Sequence, residues 1–448
     1  MRPGSDIIPS IGTAAGVALC ACVVVVPLFG GGATPLGIMV ARLSALAVFL
    51  LCLLGRRATR GLEGLSKPLA ALVLLALFGL LQSFAWPRGL AEMISPEHVG
   101  FAGEAAFALG DEPPSRVSLS LYSPASRRVA LDCLVFATLA IAAFRIGRHR
   151  SRRSWLAASV VAAAVLQIIL GLRPWLAGWV PRLRGTYANP DHLCILLEIA
   201  ACVAFGGIFW ALSTRRWRDQ GARRAVGAIV AGTLLLLMLS AIAFTGSRAG
   251  ILAALVGLAV LAVAANRKSR WVSVALVAGV SLGSASFLTW IGVGRSFGRL
   301  AATFWFEVAW GARALVWWES LGLVRRFPLT GSGLGTFESA FPLVQPASLE
   351  GMRWAKAHND FLELMVTGGL VGFAIAAGGT VLLLMALVRK LRSAVRTEDR
   401  LALAAALGSL AAVATHEIFD FGLSLSANAF TLITVVAAAL GARTEARE

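Results

Sequence analysis

The chain is short of charge. Only 14% of its 448 residues are charged and 58% are hydrophobic, where a soluble domain carries roughly 25% charged residues, so an ordinary soluble fold is excluded. A cleavable leader is also missing. MRPGSDIIPS runs into an apolar stretch without a small-residue cleavage site, so the first helix is expected to stay in place. No Asp-x-Asp motif and no His/Cys/carboxylate cluster at metal-ligand spacing occurs, so neither a metal nor another cofactor is implied. The six cysteines (Cys20, Cys22, Cys52, Cys133, Cys194, Cys202) lie in or beside apolar runs and read as small core residues. There is no internal repeat of the kind that inverted-repeat transporters leave.

Apolar runs long enough to cross a bilayer, about 20 residues each, do recur along the whole length. Twelve spans are expected, near 11–29, 35–54, 68–86, 129–144, 154–171, 192–213, 225–243, 249–265, 271–291, 361–388, 401–416 and 424–441. The basic runs RRATR (56–60), RIGRHRSRR (145–153), RRWRDQGARR (215–224), RKSR (267–270) and RKLRSAVR (389–396) then all fall on one side. The positive-inside rule makes that side cytoplasmic, together with both termini. The net charge of +18, which in a soluble protein would suggest nucleic acid, is largely explained by this topology; the expected partner is the bilayer. The fold class is thus an all-α polytopic membrane protein. One integral domain is expected, with helices one to nine in 1–291 (including an outer loop at 87–128), a large periplasmic loop at 292–360, and the last three helices and tail in 361–448.

The loop at 87–128 is rich in proline and reads as irregular chain with short interfacial helices. The second outer segment holds ARALVWWESLGLVRRF (312–327), an amphipathic helix stopped by Pro328 and the turn GSGLG (331–335). Its Trp317, Trp318, Arg325 and Arg326 suit a membrane interface.

Ionisable groups inside spans are costly and mark function. Arg42, Asp132, Glu198, Arg248 and Glu363 lie within spans, and His192, His358, Glu417 and Asp420 at helix mouths, all toward the expected outer face. A pump or channel needs polar groups at several depths. The one-sided map favours a pocket opening outward and argues against a flippase of lipid-linked sugars.

Arg248 sits in the short turn FTGSRAG, where Gly246 and Gly250 leave room for a substrate and where a snorkelling anchor is the plain alternative. Arg184, in PRLRGTYANPDHL, competes with Arg182; Asn189 and Asp191 suit ordinary helix capping. Arg313 opens the loop helix and is either a ligand residue or headgroup-facing. Glu363, five residues after His358, is off its helical face and is expected to pair with an arginine of a neighbouring helix. His98 and His149 read as surface residues; His416, opening HEIFDFG (416–422), is a second candidate.

Arginines at an outer membrane surface suit a lipid-linked diphosphate, because the guanidinium fork matches phosphate oxygens and keeps its charge. A nearby neutral imidazole can take the proton of an incoming sugar hydroxyl. Arginine and histidine together suffice for inverting glycosyl transfer without a metal.

The ordered set TGSRAG, R-x-x-x-W-W, FPLTGSGLGTF and AHNDFLELMVTGGLVG resembles the O-antigen ligase and polymerase family of bacterial membrane glycan transferases. His358-Asn359, nine residues, Gly369, two residues and Gly372 fit that family's signature position by position, and GTYANPDHL resembles a turn found in it. The resemblance implies a GT-C-type helical fold in the bacterial inner membrane, facing the periplasm. It implies an undecaprenyl-pyrophosphate-linked glycan donor, His358 as general base, and Arg248, Arg184 and Arg313 on the diphosphate. Asn359, Gly369, Gly372 and Glu363 would support them. The acceptor stays open: lipid A-core for a ligase, a second lipid-linked repeat unit for a polymerase, or a protein hydroxyl. A scaffold without enzymatic activity is the remaining alternative.

Overall fold

Apolar runs this long satisfy their backbone polar groups internally as helices. In the computed structural model, which describes residues 7–55, 61–213, 221–265, 278–279 and 308–442, they do so nearly where the sequence places them. The long helices are α1 (Ile7–Val25), α2 (Pro35–Leu54) and α3 (Ser66–Ser83); then, after two short outer helices, α4 (Arg88–Ile94) and α5 (Pro96–Leu109), come α6 (Ser123–Gly147), α7 (Arg150–Leu176), α8 (Pro190–Ser213), α9 (Gly221–Thr245) and α10 (Arg248–Ala265). The outer segment contributes α11 (Val308–Arg326) and α12 (Phe337–Ala340), and the chain closes with α13 (Asp360–Ser393), α14 (Thr397–His416) and α15 (Ser426–Leu440). Among the described residues nine helices are long and apolar enough to span a membrane. The expected span at 271–291 falls almost wholly outside the described residues, as do the basic runs 56–60 and 267–270 and the start of the 292–360 segment.

The core lies between α6, α8, α14 and α15, with α8 buried on most of its surface. Small residues let these helices touch. A Cβ on Gly257 of α10 would stand 2.7 Å from the Gly408 carbonyl oxygen of α14, and one on Gly408 2.6 Å from that of Gly257; glycine at both positions allows this backbone approach. Leu43, Leu50 and Leu54 of α2 and Val226, Ile229 and Val230 of α9 remain exposed, an outer surface suited to acyl chains. Arg42 pairs with Asp132 through two hydrogen bonds of 2.6 and 2.9 Å, neutralising two charges within α2 and α6.

The two ends of the bundle differ. At one, Arg150 and Arg153 of α7 bind Glu398 and Asp399 at the start of α14, and Lys390 of α13 reaches the Leu440 carbonyl at the end of α15. This end carries the described basic connections. At the other end the start of α8, the turn between α9 and α10, the start of α13 and the α14–α15 connection meet.

Residues 84–122 are ordered over a small core of Ala91, Val99, Val117 and Leu119, with β1 (Ala85–Pro87) antiparallel to β2 (Arg116–Ser118). His98 corrects the expectation of a surface residue. It is 2% exposed, hydrogen-bonded to Ser95 Oγ at 2.8 Å, and its ring lies 4.6 Å from Phe327. Burial drives its pKa down to about 4 despite a hydrogen bond with the Ser332 backbone.

Helix α13 is broken at Gly369 (φ 59, ψ −164). There the turn after α11 docks onto it: Leu370 N and Val371 N donate to the Pro328 and Leu329 carbonyls, and Ser332 N and Gly333 N donate to Val366 and Thr367. A Cβ on Gly369 would lie 2.4 Å from Gly331 N, so the backbone approach itself requires glycine. Gln82 of α3 completes the joint, donating to the Thr330 and Thr367 carbonyls and accepting from Leu334 N. Gly369 therefore serves the docking of the outer segment. Gly372 lets Phe78 approach, a Cβ there meeting its ring at 3.1 Å.

Candidate active site

His358 stands one residue before the N-cap of α13. Asn359 Oδ1 accepts from Leu362 N at 3.0 Å, the ordinary capping bond. His358 itself has φ 53 and is the one non-glycine residue with positive φ among the described residues. This left-handed conformation costs on the order of 1–3 kcal/mol for a non-glycine side chain and persists only where its surroundings over-determine it.

The α14–α15 connection supplies the partners. His358 Nδ1 lies 3.3 Å from Asp420 Oδ1, and His192 Nε2, from the first turn of α8, lies 3.6 Å from Asp420 Oδ2. The Phe421 ring then fits between the two imidazoles, 4.8 Å from His358 and 4.6 Å from His192, both edge-on. Asp420 is only 2% exposed. Burial alone would raise its pKa, but the facing His192 and His358 imidazoles outweigh it and hold the carboxyl well below the usual range. A carboxylate on Nδ1 fixes the tautomer, leaving Nε2 as the nitrogen available to a substrate.

His358 and Phe421 line a cavity of about 520 Å³ together with Trp354, Lys356, Ser424 and, from the outer end of α2 and the loop before it, Ile38 and Gly32. Trp354 stands edge-on to His358 at 6.0 Å. The expected partner of Glu363 is corrected: it binds no arginine but Lys356 Nζ at 2.6 Å, while its other oxygen accepts from Ala357 N at 3.1 Å. Lys356 also donates to Ser424 Oγ at 3.1 Å. Although burial works against its charge, the Glu363 carboxylate keeps the Lys356 pKa raised.

Two further pairs of ionisable groups lie behind the dyad. His416 Nδ1 is 2.6 Å from Glu198 Oε1 with both side chains fully buried, which makes His416 an interior residue and not a second base. Glu417 lies against Asp360, whose amide donates to the Glu417 carbonyl. Burial and the neighbouring Asp360 carboxylate push the Glu417 pKa up to about 11.

The arginines separate by their partners. Arg182 is held by Asp191 at 2.5 Å and by the Thr245 carbonyl. Asn189 accepts from Asp191 N at 2.9 Å, as a cap does. Arg184 is exposed and makes one long contact, 3.4 Å to the Ala188 carbonyl. Arg313 reaches the Phe419 carbonyl at 3.5 Å, beside Asp420. Arg248 is the first residue of α10, and its side chain shows no hydrogen bond or ion pair to the described residues. All four lie at the His358 end of the bundle, but none lines the cavity; its cations are Lys356 and Arg353. Trp317, expected at a membrane interface, instead donates from Nε1 to the Ala357 carbonyl at 2.9 Å, while Trp318 is 69% exposed.

The sequence named His192 and Asp420 as ionisable groups at helix mouths but gave them no part in the site, and it did not name Phe421. The signal for Asp420 and Phe421 was the charged turn HEIFDFG, in which His416 drew attention ahead of Asp420, and that for His192 was its place in PDHL at a helix mouth.

Comparison with known proteins bears on this constellation. Residues 233–377 match a family model described as O-Antigen ligase. The matched stretch contains Arg248, Arg313, His358, Gly369 and Gly372, and it excludes Arg184, His192 and Asp420. No curated protein matches the chain.

Proposed function

We propose that the chain transfers a glycan from an undecaprenyl-pyrophosphate-linked saccharide to an acceptor hydroxyl, by a metal-independent inverting reaction at the periplasmic face of the bacterial inner membrane. The observation that carries this reading is His358, in a left-handed turn on the wall of the cavity with its Nδ1 facing Asp420. In the reaction His358 Nε2 takes the proton of the acceptor hydroxyl as its oxygen attacks the anomeric carbon. The bond from that carbon to the diphosphate oxygen breaks, and the lipid diphosphate leaves with the electron pair. A single displacement inverts the anomeric centre. Asp420 stabilises the imidazolium that forms, and Arg248, Arg184 and Arg313 meet the charge growing on the diphosphate. The match to an O-antigen ligase model over residues 233–377 supports the reaction class.

The general ligase/polymerase label is the reading adopted, with polysaccharide polymerisation a close second and a protein hydroxyl the remaining alternative. Purified enzyme given a lipid-diphosphate glycan and each acceptor separately, in the presence of a chelator, tests it. Product with one acceptor, reduced to a small residual rate in His358→Ala, is the expected result. Transfer undiminished in His358→Ala removes the base. Movement of the lipid across vesicles without product would instead make the protein a transporter.

A further inference from the structure

His358 is held in its strained conformation by bonds that do not involve its own side chain. Ala357, the residue before it, is fully buried and has both backbone polar groups engaged by different elements. Its N–H donates to Glu363 Oε2 at 3.1 Å, and its carbonyl accepts from Trp317 Nε1 of α11 at 2.9 Å. On the other side, Asp360 N donates to the Glu417 carbonyl at 3.1 Å. The chain on both sides of His358, at Ala357 and at Asp360, is thus tied to α13, α11 and the α14–α15 connection at once. Glu363 is 7% exposed and its second oxygen is bound by Lys356 Nζ at 2.6 Å, so one carboxylate holds two residues of the strand leading into His358.

We infer that Glu363 and Trp317 form a positioning clamp on Ala357 that sets the His358 ring against Asp420. The inference rests on His358 being the base. Neither clamp residue lines the cavity, so neither is a catalytic residue; both act through His358. Without the clamp the backbone relaxes from its left-handed turn, and Nδ1 leaves Asp420. The distinguishing consequence is kinetic: a clamp defect lowers kcat and leaves donor KM alone where the Glu363–Lys356 pair is kept, as in Trp317→Phe.

The test compares purified full-length Glu363→Ala, Glu363→Gln and Trp317→Phe with wild type in the lipid-diphosphate transfer assay. Trp317→Phe keeps the larger part of the ring and deletes one donor. Displacing a catalytic group by about 1 Å costs about 10²-fold, so Glu363→Ala and Trp317→Phe are each expected to lose kcat on that order, and Trp317→Phe, which leaves Lys356 held, to keep donor KM within about twofold. Glu363→Gln retains an acceptor for Ala357 N and is expected to recover much of the loss. Added to His358→Ala, the Glu363→Ala change should lower the residual rate no further, since the ring it positions is gone. Wild-type kcat in Glu363→Ala, or an equal additional loss in the double variant, overturns the clamp. An inactive His358→Ala beside a fully active Glu363→Ala rejects the clamp and keeps the base; an active His358→Ala rejects the base itself. Should Glu363→Ala fail to accumulate, Trp317→Phe decides alone: unchanged kcat overturns the proposal, and a kcat loss at constant KM upholds it.

Discussion

Replacing Asp420 by asparagine removes the charge opposite the imidazolium while keeping the side chain's size. The carboxylate is 3.3 Å from His358 Nδ1. At that separation Coulomb attraction is about 5 kcal/mol for an effective dielectric of about 20, and half that for about 40. Because Asp420 is nearly buried and His358 partly exposed, the true screening lies between those values. This attraction exists only after the proton has moved, so it lowers the transition state and leaves substrate binding unchanged. Asp420→Asn should therefore reduce kcat by about a hundredfold to a few-thousandfold with unchanged donor KM. The amide also offers a donor to Nδ1, favouring the tautomer in which Nε2 bears the proton. No unpaired buried charge is created, since both facing histidines can be neutral; loss of folded protein is not expected. Steady-state transfer with purified variants measures the effect, and Asp420→Glu should recover part of it. More than a tenth of wild-type kcat in Asp420→Asn would refute the dyad.

Backbone strain at His358 has a sign that can be read from two variants. In a helix or strand Ala is more stable than Gly by roughly 0.5–1 kcal/mol, but in a left-handed turn the order reverses. His358→Gly should therefore exceed His358→Ala in stability by about 1 kcal/mol in detergent unfolding titrations, and the opposite order would remove the strain. Glu417 has a folded pKa raised to about 11, against about 4.3 when unfolded. Its protonated form is favoured only in the folded state, so the stability it contributes is present below the unfolded value and is lost as pH rises toward about 11. Glu417→Gln stays neutral, and its advantage over wild type should grow from pH 6 to pH 9 in the same titrations; a constant difference would contradict the assignment. The two arginines of the 181–193 turn should part. Arg182→Ala breaks the bonds to Asp191 and Thr245 and should lower stability by about 1–3 kcal/mol, whereas Arg184→Ala should leave unfolding unchanged and raise donor KM; the reverse pattern would give the diphosphate to Arg182.

The legible part of the molecule was its helices and the position of His358. Eleven of the expected spans are helices within the described residues, because a run of about 20 apolar residues has one stable form in lipid. The ordered motif pointed to His358, Asn359, Gly369 and Gly372 as a group, but not to their separate duties. Asn359 caps α13, and Gly369 admits the turn at 329–331, a contact between chain segments about forty residues apart. Glu363 was assigned to an arginine because spacing says nothing of partners outside the helix; its lysine comes from the loop just before it. His98 looked like a loop residue at the surface until Phe327, from the other outer segment, covered it.

Composition and hydropathy by themselves determined that this chain is built of helices apolar enough to span a membrane. That is a property of local runs of residues in a two-phase solvent. Tertiary structure alone decided that Asp420 rather than His416 or an arginine faces His358, that His192 shares that carboxylate, and that the backbone at His358 is left-handed. His192 in the first turn of α8, His358 before α13 and Asp420 after α14 are far apart in sequence, and only the packing of these helices brings both imidazoles within about 4 Å of the Asp420 carboxylate, the range in which an ion pair has consequence.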